Sequence, residues 1–156
     1  MSETIIDTSL GHILLELAPE GLVRVTQTKR VPTEVLPAEQ HLVEQIRACI
    51  DGQIDGQHIP IVSQGSEFHQ KVWEAMRQIP RGEVRSYSEL AAMAGNPRAT
   101  RAVASACASN PYVVVVPCHR VVRRDRGLGG FSWGLDLKRQ LLEREGIQVS
   151  ADGYIR

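Results

Sequence analysis

The sequence predicts an α+β protein, with a small antiparallel sheet first and a mainly helical part after it. Three observations carry this. Strand-like apolar runs broken by turns fill the first thirty residues, helical spacing takes over after Pro37, and two short capped helices meet at a tight turn near the middle of the chain.

Between Thr4 and Lys29 the apolar runs are Ile5-Ile6, Ile13-Leu14-Leu15 and Leu22, Val23, Val25. Ser9-Leu10-Gly11 and Pro19-Glu20-Gly21 separate them, so two or three antiparallel strands with tight turns are expected. From Ala38 to Ile50, residues Leu42, Ile46, Cys49 and Ile50 recur at helical spacing, which makes Cys49 a core residue. The turn-rich stretch Asp51 to Gly65 contains no long Gly/Ser linker. A boundary near residues 60–66 therefore divides an N-terminal α/β scaffold domain, 1–65, from a C-terminal domain, 66–156, that packs with it.

In the second domain Ser66 caps a helix with the apolar stripe Phe68, Val72, Trp73, Met76 and Ile79, which Pro80 ends. Ser86-Tyr87-Ser88-Glu89 is a capping box, opening a short helix through Leu90 and Met93 to Gly95. Asn96 and Pro97 are expected to cap and begin the next helix, running past Arg101 and Val103 to Ser109 before Asn110-Pro111 breaks it. Such a pair is either an ordinary helical corner or a DNA-binding helix-turn-helix. The second helix offers Ala99, Ala102, Ala104, Ser105, Ala106 and Ala108, with Arg101 the one long side chain in its middle. Major-groove reading needs several long polar side chains, whereas small residues allow close approach to the minor groove, which carries little sequence information.

Length and composition narrow the classes. A chain of 156 residues can bury a core without disulfides, and its three cysteines, Cys49, Cys107 and Cys118, form no Cys-x-x-Cys pair. That odd number points to a reducing, intracellular setting, and no signal peptide or membrane span is expected. His41, His58 and His69 make no recognisable cluster with cysteine, so neither a metal nor another cofactor is expected. The zero net charge conceals an asymmetry. Residues 1–70 hold four Lys/Arg against ten Asp/Glu, residues 71–140 hold twelve against five, and the rest two against three. The cationic middle fits a polyanionic partner such as nucleic acid, or simply a solvated face.

Chemistry concentrates at Pro117-Cys118-His119-Arg120-Val121. The run Val113 to Val116 reads as a buried strand delivering Cys118 at its end, with Pro117 stopping the ladder. A thiol attacks as thiolate, and His119 could act as base while Arg120 and Arg123 supply a positive field. Buried cysteine beside histidine can equally be plain core. Beyond it lie the basic loop Arg123-Arg124-Asp125-Arg126 and the glycine-rich Gly127 to Gly134, whose Phe131 and Trp133 could wall a pocket or only pack. A last helix, Leu135 to Glu145, turns Leu137, Leu141 and Leu142 inward. Glu145 sits at the end where the helix dipole disfavours a carboxylate, so it is either surface or partnered, for instance by His119.

Pro117-Cys118-His119-Arg120-Val121 combines with Tyr87-Ser88-Glu89-Leu90-Ala91, Gly95-Asn96-Pro97-Arg98, Arg101-Ala102-Val103, Asn110-Pro111 and Leu141-Leu142-x-x-Glu145-Gly146. Over roughly residues 66–146 this set resembles the O6-alkylguanine-DNA alkyltransferases, or methylated-DNA–protein-cysteine methyltransferases. The resemblance implies an RNase H-like N-terminal domain and a winged-helix-like C-terminal one. It also implies a single-turnover suicide enzyme that repairs O6-alkylguanine, with O4-alkylthymine a second candidate lesion.

Carried over by position, the resemblance makes Cys118 the alkyl acceptor, His119 its base through a water, Glu145 the group orienting His119, and Tyr87 the proton donor to guanine N3. Arg101 would fill the space of the flipped base. Ala102, Ser105 and Arg120 would join Arg101 against DNA, and Asn110 would hold the turn before the acceptor. Val121, Phe131, Ser132 and Trp133 would form the substrate pocket, with the Ser132 N–H toward O6 and the Cys118 and Val121 carbonyls toward the guanine amino group. The implied partner is double-stranded DNA bearing the lesion, met in the cytoplasm by a protein that is monomeric in solution, whether or not it gathers cooperatively on DNA; no membrane is involved. Competing readings are a Cys-His-Glu hydrolase, a non-catalytic binder of alkylated DNA and a helix-turn-helix regulator, the last disfavoured by the alanine-rich face of the second helix. Cys118 itself argues against the binder, because binders of that kind carry another residue at the acceptor position.

Overall fold

The computed structural model describes all 156 residues, and the α+β expectation holds. Its residues group into two compact units: Met1–Gln64 with Pro111–Val115, and Gly65–Asn110 with Val116–Arg156.

In the first unit, β1 (Ser2–Thr8), β2 (Gly11–Ala18) and β3 (Gly21–Gln27) form an antiparallel meander. Alternation along β2 turns Ile13, Leu15 and Leu17 fully inward, and a register shift at Glu16/Leu17 lets β3 continue past it. Gly21 is needed at its turn: with φ at +147°, a Cβ there would lie 2.4 Å from the Pro60 carbonyl oxygen. A single 3-10 turn, Pro37–Glu39, leads into α1 (Gln40–Ile50), which buries Val43, Ile46, Cys49 and Ile50; Leu42 is only half-buried. Segment Pro111–Val115 completes this unit. The Val25 N–H donates to Pro111 O at 2.9 Å, and the fully buried Tyr112 donates its hydroxyl to Val62 O.

In the second unit, α2 (Glu67–Arg77) starts at Ser66, whose hydroxyl accepts from the His69 N–H at 3.1 Å. Its Trp73 indole N–H donates to Ala106 O at 2.9 Å, fixing α2 against α4 (Thr100–Ala108). The strand β4 (Arg85–Ser86) pairs in parallel with β5 (Val121–Val122), and α3 (Tyr87–Met93) follows β4 directly. The capping box at its start is complete: Ser86 Oγ accepts from the Glu89 N–H at 3.1 Å and Glu89 accepts from the Ser86 N–H at 2.8 Å. The last helix, α5 (Leu135–Arg144), buries Leu141 and Leu142, and Gly146 follows at φ +89°. No helix is long and apolar enough to cross a membrane.

Two expectations need correction. Helix α4 begins at Thr100 rather than at Pro97, because Asn96 to Ala99 form a turn in which Ala99 N–H donates to Asn96 O at 3.0 Å. Arg101 therefore stands in the first turn of α4 instead of its middle. The valine run is not a strand either. Val114 adopts φ +73° inside a buried turn, and Cys118 opens a 3-10 turn, Cys118–Arg120, instead of closing a strand.

Candidate active site

The acceptor candidate is held by the turns on either side of it. The Cys118 N–H donates to Val116 O at 2.8 Å, and the Asn110 side-chain amide reaches the same carbonyl at 2.9 Å, so the end of α4 and the approach to the cysteine are tied together. Cys118 is 6% exposed, and its sulfur side opens on a cavity of about 380 Å³ lined by Tyr87, Ala104, Cys107, Ala108, Cys118, Gly130, Phe131 and Ser132. Burial pushes the thiol up from its ordinary value, against the opposing pull of the Asn110 amide and of Lys138. The resting group is thus a neutral thiol that needs a base, not a standing thiolate in a field of arginines.

A candidate for that base sits next in sequence. His119 is buried, and its Nε2 lies 2.9 Å from Glu145 Oε2. Burial would raise the Glu145 carboxyl, but hydrogen bonds from His119 and Arg120 bring it down to about 2, so it is a carboxylate that can only accept. The tautomer follows from this: Nε2 carries the proton, and the lone pair is on Nδ1. That nitrogen is buried and has no hydrogen-bond partner. Burial also lowers the His119 pKa, more than Glu145 restores it, keeping the ring neutral and basic at neutral pH.

Arg120 stands elsewhere than the sequence suggested. It is 3% exposed, donates from Nε and Nη2 to Glu145 at 2.9 and 3.0 Å, and from Nη1 to Ile79 O at 2.8 Å. A guanidinium committed to an interior carboxylate is not presented to DNA, and its charge is neutralised where it lies. The DNA-contact role expected of Arg120 is corrected accordingly.

The other candidates divide cleanly. Tyr87 is half-buried at the start of α3, and burial raises its phenol, leaving it protonated and able to donate. Phe131 and Ser132 line the cavity; Trp133 is half-buried but outside that lining. Val121 is buried and also outside the lining; its carbonyl accepts from the Lys138 ammonium, and the Cys118 carbonyl accepts from the Val121 N–H. Each oxygen keeps a second lone pair. On α4, Arg101, Ala102, Ser105 and Ala108 are exposed along one face while Val103, Ala106 and Cys107 point inward. Ala104 and Ala108 bring that helix to the cavity wall.

Two groups at the site escaped the sequence reading. Cys107 lines the cavity, its thiol pushed by burial up to about 12, and Lys138 is buried completely behind the wall. The signal for Lys138 was present: it stands three and four residues before Leu141 and Leu142, on the apolar face of α5.

A cysteine with a His–carboxylate relay, facing a cavity beside an exposed helix of small residues, defines a thiol group-transfer site next to a candidate DNA surface. Comparison with known proteins agrees. The family described as 6-O-methylguanine DNA methyltransferase, DNA binding domain, matches residues 67–147. A methylated-DNA–protein-cysteine methyltransferase of Methanosarcina acetivorans is 38% identical over 154 residues, covering 94% of this chain and 99% of that protein. The regulatory protein ada of Salmonella typhimurium is 50% identical over 106 residues, 68% of this chain but 30% of that longer protein. Among solved structures, Mycobacterium tuberculosis OGT in complex with DNA superposes with a TM-score of 0.77 at 32% identity, covering 92% of each chain. The chain belongs to the methylated-DNA–protein-cysteine methyltransferase family.

Proposed function

We propose that this chain is a DNA-repair protein that removes the alkyl group from O6 of alkylguanine in duplex DNA by one irreversible transfer to Cys118. The observation that carries the reading is the neutral Cys118 thiol opening on a cavity while the adjacent His119 has its tautomer fixed by Glu145. Since O6 lies inside the duplex, the base must first be extruded, at a cost of a few kcal/mol in lost stacking. Arg101, exposed in the first turn of α4, fills the space left behind, and Ala102 and Ser105 let the backbone approach the groove.

Within the cavity the thiol proton passes through a water to His119 Nδ1. The sulfur attacks the alkyl carbon, an S–C bond forms, and the C–O6 bond breaks with its electron pair moving onto the guanine. Tyr87 donates a proton to N3, which makes guanine a better leaving group, and recovers one as the His119 imidazolium discharges. The Ser132 N–H meets O6, and the free lone pairs of the Cys118 and Val121 carbonyls accept from the guanine amino group. A thioether has no carbonyl for water to attack, so no second turnover follows; a hydrolase would need an acyl intermediate instead. Residues 66–156, apart from Pro111–Val115, which group with the first unit, are the DNA-binding and alkyl-acceptor part, and residues 1–65 belong to the scaffold. The protein works on chromosomal DNA in the cytoplasm.

Intact-protein mass after incubation with O6-methylguanine duplex tests this. The expected result is one methyl per protein, located on Cys118, with transfer abolished and DNA binding kept in Cys118→Ala. Repeated turnover on excess substrate would overturn it.

A further inference from the structure

A lysine on the apolar face of α5 is the least expected residue in the interior of this unit. Lys138 is 0% exposed, like Leu141 and Leu142 on the same face. Its ammonium donates to Val121 O at 2.6 Å, to Gly130 O at 3.0 Å and to Leu128 O. All three of its protons are used, and none goes to a carboxylate. The charged or titratable groups that act on it are two thiols, Cys118 and Cys107, both of which hold its proton more firmly, while burial lowers its pKa to about 8. The cavity phenol, Tyr87, faces the same two thiols. An apolar side chain would fill this place without the cost of burying a cation, so the charge calls for a use.

The three carbonyls lie at informative places. Val121 directly follows the acceptor turn, and Leu128 and Gly130 belong to the glycine-rich segment whose Gly130, Phe131 and Ser132 form a wall of the cavity. We propose that Lys138 is a positioning residue for the alkyl transfer: it ties the acceptor turn to the glycine-rich wall and holds a fixed positive charge toward the Cys118 sulfur as that sulfur becomes an anion. This rests on the transfer reading. When the thiol proton leaves for His119, burial opposes the thiolate and the ammonium favours it. Arg120 cannot do the same, because Glu145 already neutralises it. Lys138 keeps its own protons throughout, and once the sulfur is a thioether no anion remains there for it to face.

The test is Lys138→Met, similar in length and uncharged, beside Lys138→Arg. Two quantities are followed against pH: iodoacetamide labelling of Cys118, located by mass, and single-turnover transfer from an O6-methylguanine duplex. In Lys138→Met the midpoint for labelling should rise by about one pH unit, cutting the thiolate population and the neutral-pH transfer rate about tenfold. Binding to unmodified duplex should not change, and Lys138→Arg should recover most of the midpoint. Equal loss in both variants with an unmoved midpoint would reduce Lys138 to a structural tie and overturn the proposal. Should Lys138→Met not fold, Lys138→Gln, polar and uncharged, carries the same comparison beside Lys138→Arg: its labelling midpoint should rise while that of Lys138→Arg stays near the wild type, and equal midpoints in the two variants would overturn the proposal. A wild type that transfers no alkyl group, yet whose thiol midpoint depends on Lys138, would sink the transfer reading alone.

Discussion

Glu145 and Arg120 meet in the interior as a two-pronged ion pair. Arg120 Nε donates to Oε1 at 2.9 Å and Nη2 to Oε2 at 3.0 Å, and Oε2 also receives the His119 Nε2 proton at 2.9 Å. The carboxylate side chain is 3% exposed. Glu145 is therefore no proton acceptor for substrate; it fixes which His119 nitrogen is basic, and Arg120 fixes Glu145.

Glu145→Gln leaves the buried Arg120 without its counter-charge and releases the His119 tautomer. Breaking a buried pair from one side costs about 3–5 kcal/mol. Urea unfolding should show a loss of that size, and single-turnover transfer should slow even where the variant is fully folded. Unchanged stability would place the Arg120 charge in solvent instead.

The same groups set the acid response. The Glu145 pKa is depressed to about 2, so its stabilisation is full above its ordinary value of 4.5 and disappears as pH falls through about 2. The His119 pKa is lowered too, so below its ordinary 6.5 the unfolded chain binds a proton that the folded one resists. Stability should decline as pH falls below 6.5 and decline further toward 2. In His119→Phe the first part of that decline should shrink, as thermal unfolding across pH would reveal.

Arg101→Ala separates extrusion from chemistry. Repair of duplex should slow far more than reaction with the free O6-alkylguanine base, which has no stack to leave. Equal losses on both substrates would refute the intercalating role. Binding to unmodified DNA should also weaken steeply with salt, as the cationic middle of the chain requires.

Gly129 stands against the Tyr87 phenol, the proposed proton donor. With φ at +71°, a Cβ there would lie 2.9 Å from Tyr87 Oη and 3.1 Å from Cε2. Gly129→Ala should displace the phenol and lower the transfer rate by about a hundredfold, the lower end of what a lost general acid costs. Affinity for unmodified duplex should be kept; a parallel loss of binding would mean that the whole glycine-rich segment had moved.

How much of this was legible beforehand depended on whether the signal was local. Ser66, the Ser86/Glu89 box and the strand alternation were readable because caps and periodicity act within a few residues. Cys118, His119 and Glu145 were readable only as an ordered set of motifs, since nothing local says that residues 119 and 145 touch. The valine turn was not readable: β-branched residues favour strands, and φ +73° at Val114 is imposed by packing against local preference. Arg120 read as a surface cation because its partner lies far along the chain.

The route of the chain just before the acceptor constrains how the protein can be made. Residues Pro111–Val115 belong with the first unit, bonded to Val25 and Val62, yet Cys118 begins its turn only three residues later. On a ribosome the first unit is complete only once this segment has emerged, with Gly56 kept free of a side chain because a Cβ would come within 2.6 Å of Val115 O. Closure over so long a stretch is entropically slow. A fragment cut at the apparent linker would leave Tyr112 and its neighbouring valines without their seat, so the first unit acts as an intramolecular assembly partner for its own late segment, Pro111–Val115.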